Sequence, residues 1–295
     1  MKSGEIGLNT CYDCYHLRSL KAKKLQAVRN GLDHMREGGA FNMADPLDFL
    51  RGVSSWEGYV EALRKADKYW WAQSPYLFPG RRFSVLGEKQ SWVETIIRGR
   101  EIAHREDWVS LTADEKNVLL GRPTNAGSWD LLGNMAIAIG AAAKFYQNRE
   151  NCCAKIREAI QPVISAKEEG QSFFPFARRT FGQIEGIRDF GPAIASRLMT
   201  LASPGRCISL NQGSVRGLSE LTGLKRQVDL GSYLYILDWL YRQPWYQAGE
   251  PQDDGQSGAL SRAIAADGSC EPDQLDIWLM RAALIDCFVY VRVST

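Results

Sequence analysis

"FFPFARRTFGQIEGIRDFGPAIASRLMTLA", residues 173–202, holds two helix-period patterns joined by the short link "GIRDFGPA". The link has the form apolar-x-x-apolar-Gly-x-x-x-Ala, set by Ile187, Phe190, Gly191 and Ala195. A glycine at 191 lets the backbone approach another group closely and admits positive φ. An alanine one turn into the second helix lets two helices cross at short range. The small residues leave backbone N–H groups pointing outward at a helix start, which suits an anion such as a DNA phosphate. Any tight helix-turn-helix corner would use the same small residues, so the structural reading stands beside the functional one.

Further along comes "RCISLNQGSV", residues 206–215. The apolar run Cys207–Leu210 stops at Asn211, and a new helical pattern, "VRGLSELTGL", opens behind it. Asn211 can serve as a helix N-cap, for which asparagine is among the best residues. It can also present its amide to a ligand at that helix start, and the two roles are compatible.

The order of these parts, over roughly residues 150–225, resembles the helix-hairpin-helix DNA glycosylase superfamily, nearest in style to its 8-oxoguanine-glycosylase-like branch. The resemblance implies a mostly α, glycosylase-like helical fold with the hairpin near 176–203. It also implies double-stranded DNA as partner and no cofactor or metal. Ile187, Arg188, Phe190, Gly191, Ala193 and Arg197 become the expected DNA contacts. Two departures from the family pattern have chemical consequences. The position where bifunctional members carry a Schiff-base lysine is Ala193, so an enzyme of this type would be monofunctional and leave an abasic site. The family aspartate corresponds to Asn211, which offers a dipole and no charge to the cationic sugar. The missing carboxylate would have to come from elsewhere, with Asp189, Asp229 and Asp238 nearest in sequence. The hairpin's usual first glycine is Asp189 here. For a flipped base, which must be stacked and hydrogen-bonded in a pocket, the expected lining is Gln212, Trp239 and Arg281. The competing place for Arg281 is the wet face of its helix. The chain also resembles the anti-phage members of the superfamily, which implies an abnormal or phage-modified base such as glucosylated hydroxymethylcytosine.

Composition sets the frame. The 295 residues are 45% hydrophobic and 24% charged with a net charge of +2, so global charge does not announce a polyanion partner and local charge is more telling. Between Arg178 and Arg226 eight basic residues face three acidic ones, a concentration suited to phosphate or to a solvated surface. Seven cysteines in a chain of this length, with no signal-peptide pattern at the start and no apolar stretch long enough to cross a bilayer, indicate a cytoplasmic protein with reduced thiols. Cys11, Cys14 and His16 look like half a zinc site, but the remaining Cys and His residues supply no matching pair.

Helix signals dominate elsewhere. Thr112-Ala-Asp-Glu115 is a capping box. Ser128 is placed to cap one helix over "WDLLGNMAIAIGAAAKFYQ", Pro162 to bend or end another, and "PDQLDIWLMRAALIDCFVYVRV" to run as a long C-terminal helix. "RRFSVLG" is the best strand pattern, and residues 248–257 read as a loop. The expected division is 1–110, aromatic-rich and of unassigned role, and 111–295, the glycosylase-like region. Two rival readings remain: a non-catalytic hairpin DNA-binding protein, and a helical adaptor without a nucleic-acid role.

Overall fold

The structure, a computed structural model, describes residues 45–73, 92–122, 132–133, 138–252 and 274–290. The Cys11–Cys14–His16 cluster, Ser128 and "RRFSVLG" lie outside the described residues. The described chain is mostly helical, with no strand among the described residues. Its helices are α1 (Pro46–Leu50), α2 (Trp56–Gln73), α3 (Trp92–His104), α4 (Ala113–Leu120), α5 (Ile139–Tyr146) and α6 (Cys152–Ser165). They are followed by α7 (Phe174–Glu185), α8 (Pro192–Ala202), α9 (Val215–Thr222), α10 (Leu230–Tyr241), α11 (Gln274–Leu279) and α12 (Asp286–Val289). None of the described helices is long and apolar enough to cross a membrane.

Local signals explain many of the boundaries. At the start of α4 the Glu115 N–H donates to Thr112 Oγ1 and the Thr112 N–H donates to a Glu115 carboxylate oxygen at 2.8 Å, a complete capping box. Helix α10 starts at the side chain of Asp229, which accepts from the Ser232 N–H at 2.7 Å. Pro162 neither ends nor interrupts α6; it sits in the last turn and its carbonyl accepts from the Ala166 N–H.

Two expected helices are shorter than their sequence patterns. In the first, the helix covers only Ile139–Tyr146, because Leu132 and Gly133 take left-handed conformations, φ +59° and +92°, that no right-handed helix can contain. The C-terminal pattern divides into α11, a single 3₁₀ turn at Ala283–Ile285, and α12. A tertiary acceptor accounts for the break: the Ala283 N–H donates to the Pro204 carbonyl at 2.8 Å instead of to its own helix.

Helix α8 is the axis of the core. Every residue from Ile194 to Ala202 is buried, and α3, α4, α6 and α7 pack on it. A helix buried all round must satisfy its polar side chains internally. Ser196 and Thr200 do so by bonds to main-chain groups, and Arg197 donates to the carbonyls of Val118, Leu119 and Gly133. Leu47, Tyr59, Leu63, Val93 and Ile96 enter the same hydrophobic core. Residue 110 is therefore not a boundary; the compact unit that holds the described residues begins at Asp45.

Candidate functional site

The hairpin forms between α7 and α8. Gly186 closes α7, the Phe190 N–H donates to the Ile187 carbonyl at 2.9 Å, and Gly191 is the N-cap of α8 in an extended conformation. The residue that turns the chain is not the expected one. Asp189 carries φ +76°, while Gly191 has an ordinary φ of −85°. An aspartate tolerates the left-handed region better than most side chains do. Here its carboxylate lies 3.7 Å from Lys144 Nζ on α5.

Gly191 is thus not required by its own backbone. Nor is it required by packing, since nothing stands within 4 Å of where its Cβ would be. That open space lies over a helix start in which Pro192 has no N–H. Arg188 is exposed beside it, and Ile187, Gly191 and Ala193 are half-buried. Ile139, a large apolar side chain 69% exposed, is next to Gly140, which packs against Asp189.

Phe190 and Arg197 do not belong to this surface. Phe190 is buried with its ring edge-on to Phe145, and Arg197 is fully buried with its guanidinium on three main-chain carbonyls. Neither can reach a DNA backbone, so both are corrected to core residues. Burial also depresses the Arg197 guanidinium to about 10, still above neutrality.

The apolar run is laid against the first turns of α8. Ser196 Oγ donates to the Leu210 carbonyl at 3.1 Å and accepts from the Leu210 N–H at 3.0 Å. The next residue, Asn211, is only 3% exposed. Its Oδ1 accepts from the N–H groups of Gly213 (2.8 Å) and Ser214 (3.2 Å), and its Nδ2 donates to Ser209 Oγ. Helix α9 begins at Val215, and its formal N-cap Ser214 makes no side-chain cap. The capping therefore comes from Asn211, three residues earlier, as a turn closed by its own amide. Gln212, next to it, is exposed.

One turn, Leu132–Gly133, covers Asn211 from the other side. A Cβ at Gly133 would stand 2.8 Å from Asn211 Cγ. The Leu132 carbonyl accepts from Ser209 Oγ at 2.9 Å, and its N–H donates to Asp286 Oδ2 at 2.8 Å. Asp286, the first residue of α12, is completely buried, and its Oδ1 has no hydrogen-bond partner. Burial pushes its carboxyl up to about 7, against the smaller opposing pull of the Leu132 N–H and the Arg197 charge. Sequence reasoning missed this residue because it is 75 positions from Asn211 inside what reads as a continuous apolar helix. The only signal was a lone Asp in "RAALIDCFVYV".

The other candidates are spent elsewhere. Asp229 caps α10. Asp238 pairs with Arg242 and Gln171. Trp239 is half-buried against the core. Arg281 is on neither the wet face nor the Asn211 turn. It is 2% exposed and its guanidinium is 3.8 Å from the Trp278 ring centre and 4.5 Å from that of Tyr246. It lines a cavity of about 120 Å³ with His104, Pro204 and Arg206, at the opposite end of α8 from the hairpin. No group of His, Cys, Asp and Glu that could hold a metal occurs among the described residues. No protein-family model, curated protein or solved structure matches the chain.

Proposed function

We propose that the protein is a monofunctional DNA N-glycosylase that everts a nucleotide, removes an abnormal or phage-modified base and leaves an abasic site. The observation that carries this reading is the Ser196 bridge. It holds Leu210 against the early part of α8, so the hairpin at Gly191 and the amide turn at Asn211 share one end of that helix. A partner gripping the first would lie over the end of α8 that carries the second, where Gln212 is exposed and Asn211 itself is 3% exposed. The open space at Gly191 supports the same reading, because no requirement inside the protein explains a glycine there. Phosphate contacts of this kind position a duplex without reading its sequence. Ala193 supplies no amine, so strand cleavage through an imine is not part of the reaction. The substrate in best accord with the anti-phage resemblance is a glucosylated hydroxymethylcytosine.

Incubation with modified phage genomic DNA and with unmodified DNA tests the proposal directly. Mass spectrometry should find free modified base, and strands should break only after alkali. Strand breaks without alkali, or no free base from either DNA, would reject it.

A second reading has its own support. Both ends of the Asn211 amide are engaged in the turn, as in a purely structural cap. A non-catalytic hairpin DNA-binding protein would bind with strong salt dependence and release no base.

A further inference from the structure

The Leu132–Gly133 turn is held in a costly shape. Leucine at φ +59° is an outlier for a bulky side chain, and such residues persist only where the surroundings impose them. Here both ends of Leu132 are tied, its N–H to Asp286 and its carbonyl to Ser209. Gly133 presses on the Asn211 amide and gives its carbonyl to Arg197. The turn thus separates a buried carboxylate from the Asn211 cap by the thickness of one backbone segment.

The carboxylate is not needed for that packing. One oxygen, Oδ2, accepts the Leu132 N–H, which a neutral amide would accept as well. The other, Oδ1, is buried with no partner, an arrangement that costs free energy. When ionised, a carboxylate in such a position acts at a distance, because a dry interior screens it weakly. Unpartnered, desolvated carboxylates of this kind cluster at functional sites.

We propose that Asp286 supplies the negative charge that Asn211, as an amide, cannot, and that it acts across the Leu132–Gly133 turn on a sugar cation held at the Asn211 cap. The inference rests on the glycosylase reading. In the reaction the bond between the sugar anomeric carbon and the base nitrogen breaks, and its electron pair leaves with the base. The sugar carbon, then cationic, takes the oxygen of a water, whose proton goes to the departing base. Asp286 forms no bond; it lowers the energy of the cation and offsets the nearby Arg197 charge. The other charged groups with described side chains on elements packed against α12 are Asp48 on α1, Glu57, Glu61, Arg64 and Lys65 on α2, and Arg216 and Glu220 on α9, all on exposed faces. Tyr59 and Tyr290 also border it, and burial keeps the Tyr59 hydroxyl neutral.

The test needs neither turnover nor knowledge of the base. Two duplexes are compared by fluorescence anisotropy at fixed salt, one with a neutral tetrahydrofuran abasic site and one with a cationic pyrrolidine in its place. The wild-type protein should bind the cationic duplex about tenfold more tightly at pH 8. Asp286→Asn should bind both equally while keeping the wild-type affinity for the neutral duplex. In the wild type alone, the preference should grow from pH 5.5 to pH 8, an arm that stands even if the variant does not fold. No preference in the wild type, a preference indifferent to pH, or one retained in Asp286→Asn would overturn the role of Asp286. Binding of neither duplex would instead reject the DNA-glycosylase reading itself, and the Asp286 role with it.

Discussion

Burial of Asp286 makes a stability prediction that is independent of function. The group's ordinary value of 3.8 rises to about 7 in the folded protein. A raised carboxyl pKa means that the folded state prefers the protonated form. The stability it contributes is therefore intact below pH 3.8 and is lost as pH rises through about 7. Linkage between those two values gives a penalty of about 2 kcal/mol at pH 5 and about 4 kcal/mol at pH 8. The wild type should thus lose on the order of 2–3 kcal/mol between these pH values through this residue alone. Other groups titrate as well, so the measurement is a difference. Asp286→Asn keeps an acceptor for the Leu132 N–H and cannot ionise. Urea unfolding of both proteins at pH 5 and pH 8 isolates the residue, with the variant gaining on the wild type as pH rises. Parallel curves, within about 0.5 kcal/mol of a constant offset, would refute the burial argument.

Three further outcomes follow from the same geometry. Gly191→Ala should change stability by less than about 1 kcal/mol, since an ordinary φ and open space await the methyl while alanine is the poorer N-cap; under the hairpin reading it should weaken duplex binding without altering sequence preference, as electrophoretic titration against several duplexes would show. Arg197→Lys should cost roughly 3 kcal/mol in urea unfolding, because a point-like ammonium cannot reproduce the spread fork by which Nε, Nη1 and Nη2 meet three separate carbonyls. Asn211→Ala should lose about 1 kcal/mol of cap stability and all base release, whereas Asn211→Asp keeps the two accepted N–H bonds and should keep base release; full activity in the alanine variant would remove Asn211 from the chemistry.

What the sequence determined by itself is local. The capping box at Thr112, the corner between α7 and α8, and the stop at Asn211 each follow from residues within about a turn of one another. Those signals are short-range hydrogen bonds and backbone preferences, so the pattern alone carries them. The tertiary structure decided the rest. It took Arg197 and Phe190 off the hairpin surface, because α8 is covered on every side, and helical spacing cannot distinguish a basic residue in water from one that donates to buried carbonyls. Ala283 found its acceptor in Pro204, and the long C-terminal helix divided. Leu132 and Gly133, which read as helix, were bent the other way by Asp286 and Ser209, partners 154 and 77 residues distant. Helical periodicity records which side chains avoid water. It does not record which distant polar atom will claim a backbone group, and that competition placed a carboxylate behind Asn211.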